Sequence, residues 1–180
     1  MPWSDTITRL RAKGLSFESG LTSGEIASAE ECFGFHFPDD YREFLSEALP
    51  TGERFPDWRN RSESIRDSLA WPWEGMAFDI EQNSWWHNAW GDKPTALEEA
   101  LRVAKEHFDK APRLIPVYGH RYISSDPSEA GNPIYSVYQM DIIFYGATLA
   151  EYFEIEFLGS DHSMMSESIR SIRFWSDVVE

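Results

Sequence analysis

A chain of 180 residues with 42% hydrophobic and 15% aromatic side chains is long enough for one domain to bury a sizeable core, and its composition excludes disorder. With 31 acidic against 16 basic residues, a formal net charge of −15, the surface repels phosphate backbones and excludes sequence-independent nucleic-acid binding. No run of about 18 apolar residues is present to span a membrane. A single cysteine, Cys32, rules out an internal disulfide.

Two readings of the charge stand: it keeps the protein soluble, or it steers a cationic partner toward it. The opening segment MPWSDTITRLRAKG lacks the apolar region of a secretory signal. Together with the lone cysteine, which suits a reducing compartment, this gives the expectation of a cytoplasmic protein. No internal repeat, low-complexity tract or linker interrupts the chain, so a single domain over 1–180 is expected.

The first clear element begins at Leu21. Thr22 and Glu25 have capping-box spacing, and Leu21 and Ile26 are placed for a hydrophobic staple. Ile26, Ala29 and Phe33 follow on one helical face, and Gly34 suits a left-handed C-cap. Cys32 is expected to pack against that face, with no basic residue nearby to activate it. A second helix starts at Phe37-Pro38-Asp39-Asp40, carries Tyr41, Phe44, Leu45 and Ala48 at helical spacing, and ends at Pro50 and Gly52. A short third helix over 62–69 is broken by Trp71-Pro72-Trp73-Glu74-Gly75, and 76–81 alternates as a short strand does.

A fourth helix follows Pro94. Its apolar stripe is Leu97, Ala100, Leu101, Ala104 and Phe108, and Pro112 stops it. Strands are expected over 113–118, 133–138 and 140–145, then a helix over 148–157. A last helix over 167–179 has Ile169, Ile172 and Val179 turned inward. Helices first and strands later is the order of an α+β domain.

Chemistry finds little support. Asp79 and Glu81 share a strand face in this scheme and are expected to be solvated. The five histidines have no zinc-ligand spacing. No nucleophile elbow, phosphate-cradling loop or dinucleotide fingerprint is present. Neither a metal nor a cofactor is expected. The cluster His120-Arg121-Tyr122 has two readings. In one, His120 hydrogen-bonds across the sheet and Arg121 pairs with an acid such as Asp141. In the other, the three residues line a concave surface beside the polar loop 124–132. Alternation puts His120 and Tyr122 on one face and Arg121 on the other. Trp85 and Trp86, adjacent on an extended segment, point oppositely, so one of them is a candidate interface anchor; the alternative is that both pack inward.

Three stretches together resemble one family. LTSGEIASAEECFGFHFPDDYREFLSEALPTG looks like the N-terminal signature of the SMI1/KNR4, or SUKH, superfamily. WEGMAFDIEQNSWWHNAWGDKP resembles the tryptophan-rich middle of its bacterial members. IPVYGHRYI, GNPIYSVYQMDIIFYG and LAEYFEIEF complete the match over roughly 20–158. One departure is that Ser124-Ser125 follows Ile123 where a proline is expected.

The resemblance implies an α+β fold with one mixed, mostly antiparallel sheet flanked by helices, and a non-enzymatic, protein-binding role. Many bacterial members are immunity proteins that neutralise toxins of polymorphic or contact-dependent systems. The partner implied is therefore a protein toxin, with a basic nuclease domain the kind that suits an acidic inhibitor. A scaffold or regulatory module without a toxin, and a small-ligand protein or enzyme using a pocket near His120 and Tyr122, are the alternatives. Trp85, Trp86, Tyr122, Asp126 and Glu129 are the expected partner contacts.

Overall fold

The computed structural model describes residues 3–179. Its elements in chain order are α1 (Ser4–Ala12), β1 (Ser16–Ser19), α2 (Ser23–Phe33), α3 (Asp39–Glu47), β2 (Ala48–Thr51), α4 (Glu63–Gln82), α5 (Leu97–Phe108), β3 (Leu114–Tyr118), β4 (Arg121–Ser124), β5 (Ile134–Tyr138), β6 (Asp141–Gly146) and α6 (Leu149–Glu156). The class is α+β. The sheet expected as one mixed unit is two sheets, the pair β1–β2, which α2 and α3 separate in sequence, and the meander β3–β4–β5–β6, and every pairing is antiparallel.

The meander separates two cores. Strand alternation sends Ile115, Val117, Ile123 and Ile134 to one side, where they meet α1, α2, α3 and α6. Leu114, Tyr122, Tyr135, Val137 and Ile142 go to the other side, against Met76 and Ile80 of α4, Ala100 and Ala104 of α5, and the C-terminal tail. Aromatic edges dominate the first core: Trp58 meets Phe33, Phe35 and Phe37 in T-shaped contacts at 5.0–6.0 Å.

The caps of α2 form as their spacing requires. Thr22 Oγ1 accepts from Glu25 N–H (3.2 Å), Glu25 Oε2 accepts from Thr22 N–H (2.8 Å), and Gly34 takes a left-handed φ of 71°. These bonds, the Thr22 amide first and then Arg59, hold the Glu25 carboxyl down at about 2. Leu21 and Ile26 are both buried. Cys32 is exposed rather than packed, and Arg66 Nη2 lies 3.7 Å from its Sγ; Ala29 and Phe33 fill the inner face instead.

Several sequence expectations are corrected. Two N-terminal elements, α1 and β1, precede the first expected helix. The second helix ends at Glu47, and Ala48–Thr51 pairs with β1, Pro50 opposite Phe17. Arg121–Ser124 is a strand of its own, because Gly119 and His120 make a two-residue turn with Gly119 at φ 54°. The last segment is not a continuous helix. It holds one 3-10 turn, Trp175–Asp177, since Phe174 at φ 72° interrupts any helix and Ser176 Oγ takes the Ile172 N–H.

The largest correction is α4. Neither a break at 71–75 nor a strand over 76–81 exists; one helix runs through Pro72. A proline there removes the N–H that would bond Ser68 C=O. The Tyr122 hydroxyl donates to that carbonyl at 2.8 Å, so the vacancy is filled from β4. Tyr122→Phe is therefore expected to cost about 1–2 kcal/mol. In a Pro72→Ala background the restored amide reaches Ser68 itself, and the same change should cost less than half as much. Chemical denaturation of the double-mutant cycle checks this; equal costs in both backgrounds would refute the pairing.

Candidate partner-binding surface

Loop 124–132 is the polar segment between β4 and β5, and it is braced from several directions. Asn132 Nδ2 donates to Ser124 O (3.0 Å) and Pro127 O (2.7 Å), closing the loop on itself. Ser124 Oγ donates to Asp126 O at 2.6 Å. From outside, Arg170 Nη1 bonds Asn132 Oδ1 and Glu129 O, Asp39 N–H bonds Ser128 O, and Gly131 N–H donates to Asp40 Oδ2. Burial pushes the Asp40 carboxyl up, and the Gly131 and Tyr41 amides oppose it. Within the loop, Pro127 follows a cis peptide bond. Asp126 and Glu129 are exposed.

The tryptophan-rich middle is a ring stack. Trp90 lies flat between His107 (5.0 Å, 11°) and Phe174 (6.1 Å, 17°), and Trp85 and Trp86 set their edges against it at 5.5 and 5.1 Å. Trp86 Nε1 donates to Gly91 O. Both Trp85 and Trp86 are half-buried, neither standing clear. Asp79, expected to be solvated, is buried beneath this region, where Oδ2 accepts from Met140 N–H (2.8 Å) and Oδ1 from Asn83 Nδ2. On a helix, Asp79 and Glu81 diverge, so they form no pair.

Alternation correctly divides the His120-Arg121-Tyr122 cluster. Arg121 turns to the first core side. There its guanidinium lies 3.8 Å over the Tyr145 ring, Nη1 donates to Ser136 Oγ (2.9 Å), and Nε sits 3.5 Å from Glu156 Oε2. That last approach is ion pairing without an aligned hydrogen bond, leaving Nε and Oε2 otherwise unpartnered. The acid beside Arg121 is thus Glu156 and not Asp141, which lies exposed at the start of β6. His120 makes its cross-sheet bond through its carbonyl, which accepts from Val137 N–H. Partial burial first, then Arg121 and Arg54, hold its imidazole below the ordinary range. Tyr122 is 1% exposed. It lines a hollow of about 470 Å³ together with His120, Gly119, Asp67, Trp71 and Glu74.

That hollow opens onto a surface that the sequence reading missed. The outer face of α4 carries Asp67, Trp71, Glu74, Phe78 and Glu81, at alternating steps of four and three, and all five are exposed. Trp71 (39% exposed), Phe78 (47%) and Tyr138 (59%) are among the most exposed large apolar side chains described. Trp71 is fixed: its Nε1 donates to Val137 O at 3.1 Å and its ring meets Tyr138 at 6.2 Å. On the Tyr138 side lies a second hollow, of about 360 Å³, lined by Asp141, Asp79, Asn83 and Trp85. The 4-3 spacing was legible in the sequence, but Pro72 suggested a break and hid it.

Among the described residues no group of three or more His, Cys, Asp or Glu side chains is placed to hold a metal, and no helix is long and apolar enough to cross a membrane. What the surface offers is shape, rings and carboxylates, the chemistry of recognition. No curated protein and no solved structure matches the chain. Residues 20–161 match the SMI1 / KNR4 family (SUKH-1), a span that includes the capped α2, the tryptophans 85, 86 and 90 of the ring stack, and the whole meander. The chain belongs to the SMI1 / KNR4 family (SUKH-1).

Proposed function

We propose that this protein is a non-catalytic immunity protein of the cytoplasm, which neutralises a toxin by binding it directly. Family membership supports a protein-binding role. The observation that carries the proposal is loop 124–132, held rigid by Asn132, Arg170, Asp39 and Asp40 while the Asp126 and Glu129 carboxylates make no bond to any described residue. A pre-ordered loop gives up little entropy when it docks. Its free carboxylates, on a chain of net charge −15, suit a basic surface such as the substrate-binding face of a nuclease toxin. Asp126 and Glu129 are the proposed direct contacts. Trp85 and Trp86 contribute through their half-exposed edges, and Tyr122 through the floor of the hollow beside α4.

Co-expression with a toxin encoded beside this gene tests the proposal. Protection of the cells and a stable complex on size exclusion are expected. Unchanged killing together with no complex would overturn the inhibitor role for that toxin.

A further inference from the structure

The outer face of α4 is unpartnered, and its charge states what it fits. Several acids elsewhere on the surface are matched with bases, Glu18 and Glu25 with Arg59, Glu30 with Arg42, Glu154 with Arg9, Glu99 and Glu106 with Arg102, and Asp109 with Lys105, while others, Asp126 and Glu129 among them, are not. Asp67, Glu74 and Glu81 have no ion pair or hydrogen bond to any described residue. The same holds for Asp141, near Tyr138. Of the cations that act on His120, Arg121 is turned to the other side of the meander, over Tyr145 at 3.8 Å, and Arg54 lies over the Tyr118 ring at 4.3 Å with its guanidinium beside Gly119, at the edge of the hollow. Four unpaired carboxylates thus lie on the same two segments, α4 and the β5–β6 turn, as three exposed aromatic rings.

The spacing adds a shape. Positions 67, 71, 74, 78 and 81 are a 4-3-4-3 seam, aromatic at Trp71 and Phe78 and acidic at the other three. It extends about 21 Å along α4. A second seam on the same helix, Ile65, Leu69, Pro72, Met76 and Asp79, faces inward. A helix with one seam in the core and another in water is poised to accept a helix from outside. Trp71 is already locked by Val137 and Tyr138, so docking on it immobilises little. The hollow between Asp67, Glu74 and the Trp71 ring suits a cationic side chain, which gains both carboxylates and a ring face.

We propose that the outer face of α4 docks a basic amphipathic helix of a protein partner, with a Lys or Arg side chain entering the hollow beside His120. The proposal deepens the protein-binding role and rests on it. A second copy of this chain would bring −15 against −15, and an anionic membrane would be repelled in the same way.

The test uses the full chain labelled with 15N at tryptophan. It is titrated with a synthetic helical peptide carrying Leu and Lys at seam positions, and with the same peptide carrying Glu for Lys. The Lys peptide should shift the Trp71 indole resonance, and raising salt from about 25 to about 200 mM should weaken binding about tenfold. Phe78→Ala and Glu74→Lys, both at exposed positions, should each weaken it about tenfold or more, and Glu167→Lys, at an exposed position off α4, should leave it unchanged.

No binding, equal binding of the Glu peptide, or indifference to the two α4 variants would overturn the proposal. So would self-association in sedimentation that Phe78→Ala abolishes, which would assign the face to a second copy. The same variants are then tried against the neighbouring toxin. A toxin that the wild-type chain neither binds nor resists sinks the immunity role alone, while the peptide arm still decides the face. A toxin bound equally by wild type and both α4 variants overturns the face and leaves the immunity role standing.

Discussion

Trp175→Ala is expected to lower stability by about 3–5 kcal/mol, the range for deleting a large buried aromatic. Trp175 is 1% exposed and sits in the second core with Ile172 and Val178. Its ring stands edge-on to Phe108 at 5.9 Å and to Phe174 at 4.9 Å, and Nε1 donates to Pro112 O at 2.6 Å. Alanine would open a void between α5 and the meander and leave the Pro112 carbonyl unpaired. For a chain of this length the thermal midpoint should fall by about 6–20 °C. Circular dichroism is the right reporter, because the substitution removes a fluorophore. Residues 162–179 lie beyond the family match, so a loss within about 1 kcal/mol, the scale of an ordinary surface change, would mean that the tail only drapes over a core complete without it.

Gly75→Ala is expected to destabilise by about 1–3 kcal/mol even though alanine favours a helix by nearly 1 kcal/mol over glycine. A Cβ at residue 75 would stand 2.7 Å from Gln139 Cα and 3.2 Å from Gln139 N, both backbone atoms of the β5–β6 turn. Gln139 itself is held at φ 57°, so the turn has little freedom to retreat. Relief must come from moving α4 away from the hairpin, which pulls Trp71 from Val137 O and from the Tyr138 ring. The Trp71 indole resonance should therefore shift as stability falls. Gly24→Ala is the control: that glycine lies in the first turn of α2 with nothing closer than 4.0 Å to the added carbon. It should be neutral or mildly stabilising by denaturation. Equal effects at 24 and 75 would refute the close approach.

Much of this architecture was legible in local sequence because local rules governed it. The Thr22–Glu25 box and the Gly34 cap involve residues within a few positions of one another and form as read, and the stripe of α5 does so except at Leu97, which is exposed. The errors fall where a distant group decides. Pro72 reads as a break until Tyr122, on another strand, satisfies Ser68 C=O. Residues 167–179 carry helical spacing, yet they lie over the second core in the shape that Trp175 and Pro112 impose. Cys32 sits outside because Ala29 and Phe33 already fill the inner face. The surface was less legible than the fold. Sequence found the acidic loop 124–132, whose polar composition marks it. It missed Trp71, Phe78 and Tyr138, because exposure of a large ring depends on what covers it, and composition does not say.

The bond from Tyr122 to Ser68 also bears on how such chains diverge. The phenol is useful only while residue 72 lacks an amide, and the proline is tolerable only while a hydroxyl lies beneath it. Each residue sets the selective cost of losing the other. Across descendants of this sequence, proline in the helix and tyrosine in the strand should be inherited together. A lineage that regains an amide at 72 should soon drift to phenylalanine at 122, leaving a correlated pair of columns 50 positions apart.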